Sequence, residues 1–456
     1  MKKKLLAMAL SLSVVAGIVG CGASTETTSS GEATNTEATT STDTASTGSN
    51  SYNTDQIIIN IWDNNQREGL QKIADDWTAQ SGVKVTIEVV DWDNYWTLLE
   101  AGASGGEMPD VFWMHSNTAQ MYMENDILLD LTDYIAADAS VDQNNYYEGV
   151  WNLYSSNGKQ YALPKDHDTI ALLYNKAIFD QYGVSYPTDD WTWQDMYEAA
   201  KTITEGSNGE VYGMAMNTSN NQDGWYNLVY DYGAQVITDD HKGTTIGSDA
   251  GKAGMEMMRQ LLTVGAPQSV VAETGTDSLF KSGKTAMITQ GSWMINTFYT
   301  AENSADYAWA MLPYADVNNN GSCDDGERYS AYNGLGWAAN ANVKDPKACY
   351  DLIAYFCSEE GQKKQAELGV TMGGMKGVSE AFASAFNGMD VSAFTRAEEE
   401  GKLFFRPYTR NTTVWEDKLQ QAGAFLDAWQ NPSDPAVMAQ ACDNAQAIIE
   451  EAIANE

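Results

Sequence analysis

Residues 57–89 read IIINIWDNNQREGLQKIADDWTAQSGVKVTIEV, and this stretch decides the fold class. The apolar run over 57–61 favours a buried strand, and apolar residues recur at helical spacing over 70–77. Gly82 ends that helix, and alternating apolar residues over 83–89 mark a second strand. A strand, a helix and a strand in so short a stretch favour a parallel sheet. The sequence therefore predicts an α/β protein.

The chain that follows continues the same pattern. A helix is predicted from about Asn94 to Ala103, and Val111 to Met114 form a third apolar strand. Ligands of open α/β sheets bind beyond the carboxyl ends of the strands. Polar and aromatic side chains follow two of these strands, and we expect at least one of each group to contact a ligand. The candidates are Trp62, Asn64 and Asn65 after the first strand, and His115, Ser116 and Asn117 after the third.

The chain before residue 56 has the composition of an export signal and a tether. Residues 2–4 are lysines, and an apolar stretch over 5–19 follows that is short for a bilayer span. Gly20-Cys21 then resembles a bacterial lipobox with Cys21 as the lipidated residue; a plain signal peptide with a chance cysteine is the alternative. Residues 21–55 are rich in Ser and Thr and cannot bury a core, so they are predicted to be a flexible tether. We therefore expect residues 1–20 to be a signal peptide and the body to be lipid-anchored on the extracellular face of the bacterial cell membrane.

The charge balance and the composition exclude several classes of protein. The 456 residues hold 63 acidic and 26 basic side chains, which gives a formal net charge of -37. So negative a chain is repelled by the phosphates of nucleic acids and of anionic membrane surfaces. Hydrophobic residues make up 43% of the chain, enough for a large core, and the 14 Trp and 24 Tyr supply rings that often serve binding faces. We expect a folded body that binds no nucleic acid and meets the membrane only through its anchor.

Four segments, in order, resemble the extracellular solute-binding proteins of family 1, the carbohydrate-binding components of ABC importers. They read IWDNNQREGLQKIADDWTAQSGVKV, MPDVFWMHSNTAQMYMENDILLDL, YALPKDHDTIALLYNKAIFDQYG and LFKSGKTAMITQGSWMINTF, between about Ile57 and Phe298. The later third of the chain matches more loosely. The resemblance implies a type II periplasmic-binding-protein-like α/β fold, with two lobes, a hinge and a ligand cleft between the lobes. It also implies a monomer without enzymatic activity, whose partners are a carbohydrate ligand and the transmembrane subunits of an ABC permease.

The same resemblance implies the lobe boundaries. Residues 56–165 and 313–367 would form the first lobe, and residues 168–310 and 371–456 the second. The chain would cross between the lobes near Pro164–Asp168, near Met311–Pro313 and near Gly369–Gly374.

A sugar stacks its C–H faces on aromatic rings and bonds its hydroxyls to carboxylates and amides. The resemblance places a stacking ring at Trp293 and an acidic sugar ligand at Asp168, where a core and a hinge role are the respective alternatives. Four further residues are candidates for the cleft, with structural roles as the alternative: Trp225, Asn333, Gly334 and Trp415.

The segment DVNNNGSCDDGE, residues 316–327, fits the twelve-residue calcium-loop pattern. Oxygen ligands are expected from Asp316, Asn318, Asn320, Ser322, Asp324 and Glu327, and Gly321 falls at the sharp turn. No amphipathic helix precedes the loop, so it would be a single structural calcium site; an Asn-rich solvated turn is the alternative. The sequence thus predicts calcium as a structural cofactor near a hinge.

Two other functions remain as alternatives. A receptor for a non-sugar solute, such as a peptide or a polyamine, would share the fold. A secreted glycoside hydrolase would also have a cleft rich in Trp and acidic residues, but it needs two carboxylates about 5–9 Å apart, and the sequence nominates Asp168 without a second. The chain shows no metal-enzyme spacing of His and Cys, and the pairing of Cys323, Cys349, Cys357 and Cys442 is left open.

Overall fold

The computed structural model describes residues 52–219, 221–400, 402–421 and 424–456. The predicted signal peptide, Cys21 and most of the predicted tether lie outside the described residues. Within those ranges no helix has both the length and the apolarity that a membrane span requires.

In the described residues the strands are β1 Gln56–Ile61, β2 Lys84–Val89, β3 Val111–Met114, β4 Ser155–Ser156, β5 Lys159–Gln160, β6 Ala162–Pro164, β7 Ile170–Asn175, β8 Met287–Gly291, β9 Tyr307–Ala310, β10 Ser330–Tyr332, β11 Gly336–Ala339 and β12 Leu403–Phe405. The α-helices are α1 Asn64–Ser81, α2 Trp92–Gly105, α3 Ser116–Glu124, α4 Thr132–Ala137, α5 Glu148–Leu153, α6 Lys176–Tyr182, α7 Trp193–Gly206, α8 Tyr226–Asp231, α9 Asp249–Val264, α10 Gln268–Thr274, α11 Thr276–Lys281, α12 Ile295–Tyr299, α13 Pro346–Phe356, α14 Glu359–Glu367, α15 Ser379–Ser384, α16 Ser392–Glu399, α17 Thr412–Gln421, α18 Leu426–Gln430 and α19 Pro435–Ala454. Short 3-10 helices cover Gln143–Asn145, Ser292–Met294 and Ser304–Asp306.

The first sheet has five strands in the order β2-β1-β3-β11-β6. Strand β1 pairs in parallel with β2 and β3, which confirms the predicted parallel sheet. Strand β11 comes from much later in the chain and lies antiparallel between β3 and β6. In this register Ile59 lies opposite Ile87 on one side and Val111 on the other, and all three are buried. We call the part of the protein around this sheet the first lobe.

Helix α1 has the start, the end and the buried face that its sequence predicts. The side chain of Asp63 accepts the backbone N–H of Asn65 at the start. Gly82 ends the helix in the left-handed conformation, at a φ of 75°. Its buried face includes Leu70 and Trp77, which pack against the first sheet and the later helices.

The second sheet has three strands in the order β8-β7-β9, all antiparallel. Leu173 of β7 lies opposite Ile288 and Trp309, and two further hydrophobic cores surround this sheet. We call the part around it the second lobe. The two sheets thus have separate cores, as a two-lobed α/β protein requires.

The segments that cross between the lobes pair with one another. Asp166 forms an antiparallel bridge with Gly373, and Asp168 forms one with Asn333. These bridges lie in two of the segments that the sequence analysis proposes as crossings. Leu312 and Ala331 still pack in a core of the second lobe and β11 pairs in the first sheet, so we call the segment before β11, with Asn333, the middle crossing. The lobe boundaries stay a prediction.

A buried charge stands at the first crossing. Lys165 is fully buried, and its Nζ lies 2.9 Å from Gln66 Oε1 and next to the Asp166 carboxylate. The same ammonium lies 4.5 Å from the centre of the Trp113 ring. A carboxylate, an amide and an aromatic face together replace the water that this charge has lost. The crossing is therefore fixed to helix α1 and strand β3 of the first lobe.

The cysteines within the described residues are unpaired. Cys349, Cys357 and Cys442 are buried and Cys323 is half-buried, and none forms a disulfide.

Candidate functional site

An aromatic cluster lies beyond the carboxyl ends of β1 and β3. The Trp62 ring centre is 5.1 Å from that of Trp92, 5.0 Å from Tyr95 and 4.9 Å from Trp113, each in an edge-to-face arrangement. Trp62 is half-buried, and Trp92, the first residue of α2, is 41% exposed. The cluster gives the first lobe an accessible indole surface at this edge of the sheet.

Asn64 and Asn65, also predicted for the site, are exposed in the first turn of α1. Asn65 Nδ2 donates to Thr297 Oγ1 of α12 at 3.0 Å, so this side chain reaches the second lobe. Asn65 therefore lies at the boundary of the two lobes.

His115 connects the first lobe to the middle crossing. Its Nε2 lies 3.2 Å from Asn333 Nδ2, and its Nδ1 lies 2.8 Å from Asn117 Oδ1. Burial, aided by the nearby charge of Arg406, lowers the pKa of His115 to about 3, so the ring is neutral. The backbone N–H of Asn117 also donates to Nδ1 at 3.3 Å, so both the backbone and the side chain of Asn117 lie against this ring nitrogen. Ser116, next in the chain, is buried, and its hydroxyl has no partner among the described residues.

Asn333 and Asp168 are both buried where the crossings meet. Asn333 Nδ2 also donates to Gln222 Oε1 of the second lobe at 3.1 Å, while its Oδ1 has no partner within the described chain. Asp168 Oδ1 accepts from the Ser292 hydroxyl at 3.1 Å, and burial together with neighbouring Asp166 raises the pKa of Asp168 well above its usual range. Both residues thus link the two lobes, which fits either a hinge or a ligand role.

Gly334 is required by the backbone at this crossing. A Cβ at this position would lie 2.3 Å from the carbonyl oxygen of Asp166 and 2.7 Å from the Val150 side chain. The backbone of the first crossing therefore approaches Gly334 closely, which agrees with the structural alternative for this residue, and its contact with a ligand stays a prediction.

Trp293 lies in the 3-10 helix after β8, half-buried over Gly291. With Asp223, Asp277, Gln290 and Trp429 it lines a groove of about 1040 Å³ on the second lobe. The predicted stacking residue therefore has open space beside its ring.

Two predicted ligand residues, Trp225 and Trp415, are corrected to core residues. Trp225 is 1% exposed and Trp415 is fully buried, both within the same core of the second lobe. The indole N–H of Trp225 donates to Asn221 Oδ1 at 3.0 Å, and that of Trp415 to Thr409 Oγ1 at 3.2 Å. In this structure neither ring has a face open to a ligand.

The structure adds residues that the sequence analysis missed. Asp223 is buried with its Oδ1 unpartnered among the described residues. Arg406 is buried and pairs with Glu416 at 2.6 Å, yet its Nε and Nη1 also lack partners there. The sequence indicates Trp225 but not Asp223, because only the packing leaves this carboxylate without a full set of partners. Nothing in the pattern around Arg406 marks it.

The calcium loop folds as a set of tight turns. Asp316 accepts the backbone N–H groups of Asn320 and Gly321, and Glu327 accepts those of Val317 and Asp324. Asn318, Asn320, Ser322 and Asp324 are exposed, Asp316 is half-buried and Glu327 is buried. In the described part of the chain no three His, Cys, Asp or Glu side chains are grouped to hold a metal. Calcium at this loop therefore stays a prediction.

Comparison with known proteins agrees with this architecture. The family model described as "Bacterial extracellular solute-binding protein" matches residues 63–363, so the chain belongs to that family. Among solved structures, the substrate-binding protein of Listeria monocytogenes in complex with cycloalternan is 20% identical with a TM-score of 0.76, over 87% of this chain and 98% of that one. The GacH receptor of Streptomyces glaucescens, solved unliganded and with acarbose, is 18% identical with a TM-score of 0.73, over 88% of this chain and 99% of that one. At these identities the likeness establishes the fold, a type II periplasmic-binding-protein fold of two lobes.

The matches to curated relatives cover a smaller share of this chain than the matches to solved structures do. A binding protein of Brucella abortus is 22% identical over 247 residues, 53% of this chain and 58% of that protein. The chain thus spans little more than half the length of the first of these relatives. The galactooligosaccharide-binding protein of Bacillus subtilis is 21% identical over 67% of this chain and 70% of that protein.

Proposed function

We propose that the protein is the substrate-binding component of an ABC importer, and that it captures a sugar or an oligosaccharide between its two lobes. The observation that carries the proposal is the pairing of accessible indole surfaces with buried polar atoms that lack partners. Trp62 and Trp92 offer such a surface on the first lobe, and Trp293 offers one on the second. The family membership and the sugars named for several relatives support it.

The unpartnered polar atoms are of the kinds that sugar hydroxyls need. Arg406 supplies free donors, while Asn333 Oδ1 and Asp223 Oδ1 supply free acceptors among the described residues. A buried polar atom without a partner costs about 1–3 kcal/mol, and a bound hydroxyl removes that cost. Neutral His115 and Gln222 hold Asn333 in place between the lobes. A ligand that bonds to groups of both lobes would stabilise the closed arrangement that a permease recognises.

Direct binding measurements test the proposal. Thermal shift and isothermal titration of the purified protein against mono- and oligosaccharides are expected to show saturable binding of at least one sugar without turnover. Peptides and polyamines in the same screen test the alternative of a receptor for a non-sugar solute. Binding of peptides or polyamines but of no sugar would contradict the proposal. Release of a reducing end from a glycoside, lost in Asp168→Asn, would instead establish a hydrolase.

We further propose that Cys21 carries a lipid anchor on the outer face of the cell membrane. In Cys21→Ala cells the protein is expected to leave the membrane fraction and to lose label from a radioactive fatty acid. Cys323→Ala, which changes a half-buried cysteine of the body, serves as the matched control and should stay membrane-bound. Unchanged fractionation of the Cys21 variant would contradict the anchor.

Calcium in the loop 316–327 is a separate proposal, supported by the complete spacing of its oxygen ligands. Calcium is expected to raise the melting temperature by a few degrees. A gain of about 1 kcal/mol in the free energy of unfolding produces a shift of that size. Glu327→Gln should abolish the shift, and Glu302→Gln, outside the loop, should keep it. The absence of a calcium-dependent shift in the unaltered protein would favour the solvated turn.

A further inference from the structure

The groove beside Trp293 has an unusual charge. Of the described residues that line it, only Asp223 and Asp277 are charged, and no Lys, Arg or His is among them. Its aromatic walls are Trp293 and Trp429. Trp293 is half-buried, whereas Trp429 is 5% exposed and stacks on Phe425 in the core. The groove therefore presents two carboxylates and the Trp293 indole ring, with no basic side chain of the described chain on its wall.

Asp223 is the deeper of the two carboxylates. It is 3% exposed, and its Oδ1 has no hydrogen-bond partner among the described residues. The backbone carbonyl of the same residue accepts from the Thr289 hydroxyl of β8 at 2.5 Å, which holds the segment against the sheet. Burial, and then the negative charge of Asp277, raises the pKa of Asp223 well above its usual range. The backbone N–H of Asp223 itself opposes the rise, but Oδ1 still lacks a partner among the described residues.

Asp277 stands in the first turn of α11 and is more fully bonded. Gln290 Nε2 donates to its Oδ1 at 2.9 Å, while Gln290 Oε1 accepts the backbone N–H of Gly291 and so fixes the amide. Burial raises the pKa of Asp277, and the Gln290 amide, the charge of Lys281 and the Thr276 hydroxyl oppose the rise. Lys281 follows one turn later on the exposed side of α11 and does not line the groove. Asp277 therefore has partners of its own, whereas Oδ1 of Asp223 has none among the described residues.

The missing partner is a cation with hydrogen-bond donors. A neutral hydroxyl would bond to a carboxylate but leave its charge in place, whereas an ammonium group donates and also cancels the charge. A metal ion fits less well, because the described residues contain no group of three or more His, Cys, Asp or Glu arranged around one point. The indole face of Trp293 suits both a cation and the C–H face of a sugar ring.

We propose that this groove binds an amine-bearing sugar, with the ammonium group held by Asp223 and Asp277 and the sugar ring set against Trp293. The inference rests on the proposed sugar-binding function and narrows its substrate class. The inference assigns separate roles to these side chains. The two carboxylates select the ammonium group, and the Trp293 ring binds the sugar ring of charged and neutral ligands alike.

Isothermal titration of the full-length protein with three matched series tests the proposal. The probes are glucosamine, galactosamine and the β-1,4-linked glucosamine dimer, each beside its N-acetyl form and its parent hydroxyl sugar. At least one amine is expected to bind about tenfold or more tightly than both neutral counterparts, the range of a hydrogen bond to a charged group. Neutral sugars that bind as well as their amines would overturn the inference and leave the proposed function standing. Absence of binding by every sugar would remove both.

Variants locate the effect. Asp223→Asn is expected to reduce the amine preference to within about twofold while neutral sugars still bind. Asp306→Asn removes one equal charge from an exposed position outside the groove and should keep the preference. If Asp223→Asn fails to fold, Asp277→Asn provides the same comparison. A preference that survives in the folded groove variant refutes the assignment.

The pH dependence has a definite sign. Over the pH range in which the amine stays protonated, lowering the pH protonates carboxyls whose pKa is raised, so amine binding should weaken as the pH falls while neutral binding changes little. Calcium chloride and magnesium chloride are titrated alone as probes of the cation class. Metal binding that Asp223→Asn abolishes would show that the cation is a metal and overturn the amine.

Discussion

Trp293→Ala is expected to weaken binding of the best sugar in the screen by about thirtyfold or more. Truncation of a Trp at a binding hot spot typically costs about 2 kcal/mol or more, because the stacking face and the excluded water are lost together. The ring is half-buried beside the groove, so its removal enlarges open space and does not empty a core. Titration calorimetry gives the affinity, and the quench of indole fluorescence on binding should shrink in parallel.

The matched control for this variant is Trp191→Ala. Trp191 is also half-buried and packs against a core of the second lobe, but it does not line the groove. Its loss should lower the melting temperature and leave the sugar affinity within about twofold. If both variants keep the affinity, Trp293 is not a stacking residue and the sugar binds elsewhere.

Lys165→Met is expected to lower the free energy of unfolding by about 3–5 kcal/mol, because it leaves the Asp166 carboxylate buried without its cation. The Asp166 side chain is 1% exposed, so water cannot replace the ammonium. The substitution also removes a donor to Gln66 and the charge that faces the Trp113 ring. Urea unfolding followed by circular dichroism measures the change.

Lys159→Met separates burial from charge. Lys159 pairs with Asp130 at 2.9 Å, but their side chains are 51% and 37% exposed. Breaking so exposed a pair should change the free energy of unfolding far less than breaking the buried one, because water and salt screen the two charges. Equal and small effects in the two variants would show that the buried pair at the crossing contributes no more than one at the surface.

The opening α/β segments could be predicted because their patterns are local. The buried face of α1 and the strands around it follow from the spacing of apolar residues within short stretches. The position of β11 in the sheet could not be predicted from local spacing. Trp337 of β11 lies opposite residues of β3 and β6, which are far away in the chain. The order of strands in the first sheet is a tertiary property that no local pattern encodes.

The candidate site divides in the same way. A loop that follows a strand can be recognised, so His115 and Trp62 were expected near a ligand, and the structure places them at the edge of the first lobe. Whether a tryptophan points inward depends on what packs over it. Every residue of the short helix α8 is buried, so Trp225 just before it has no free side. Asp223, two residues earlier, remains the unsatisfied group of that loop, which only the packing reveals.

The insertion of β11 between β3 and β6 also determines when the first lobe can fold. Strand β11 is made only after the whole second sheet, so a growing chain holds β3 and β6 without the strand that joins them for most of its synthesis. Pairings so distant in sequence form slowly, since a long loop must close before they give any stability. The first sheet is therefore completed only after residues 336–339 have been made, although three of its five strands lie within the first 114 residues.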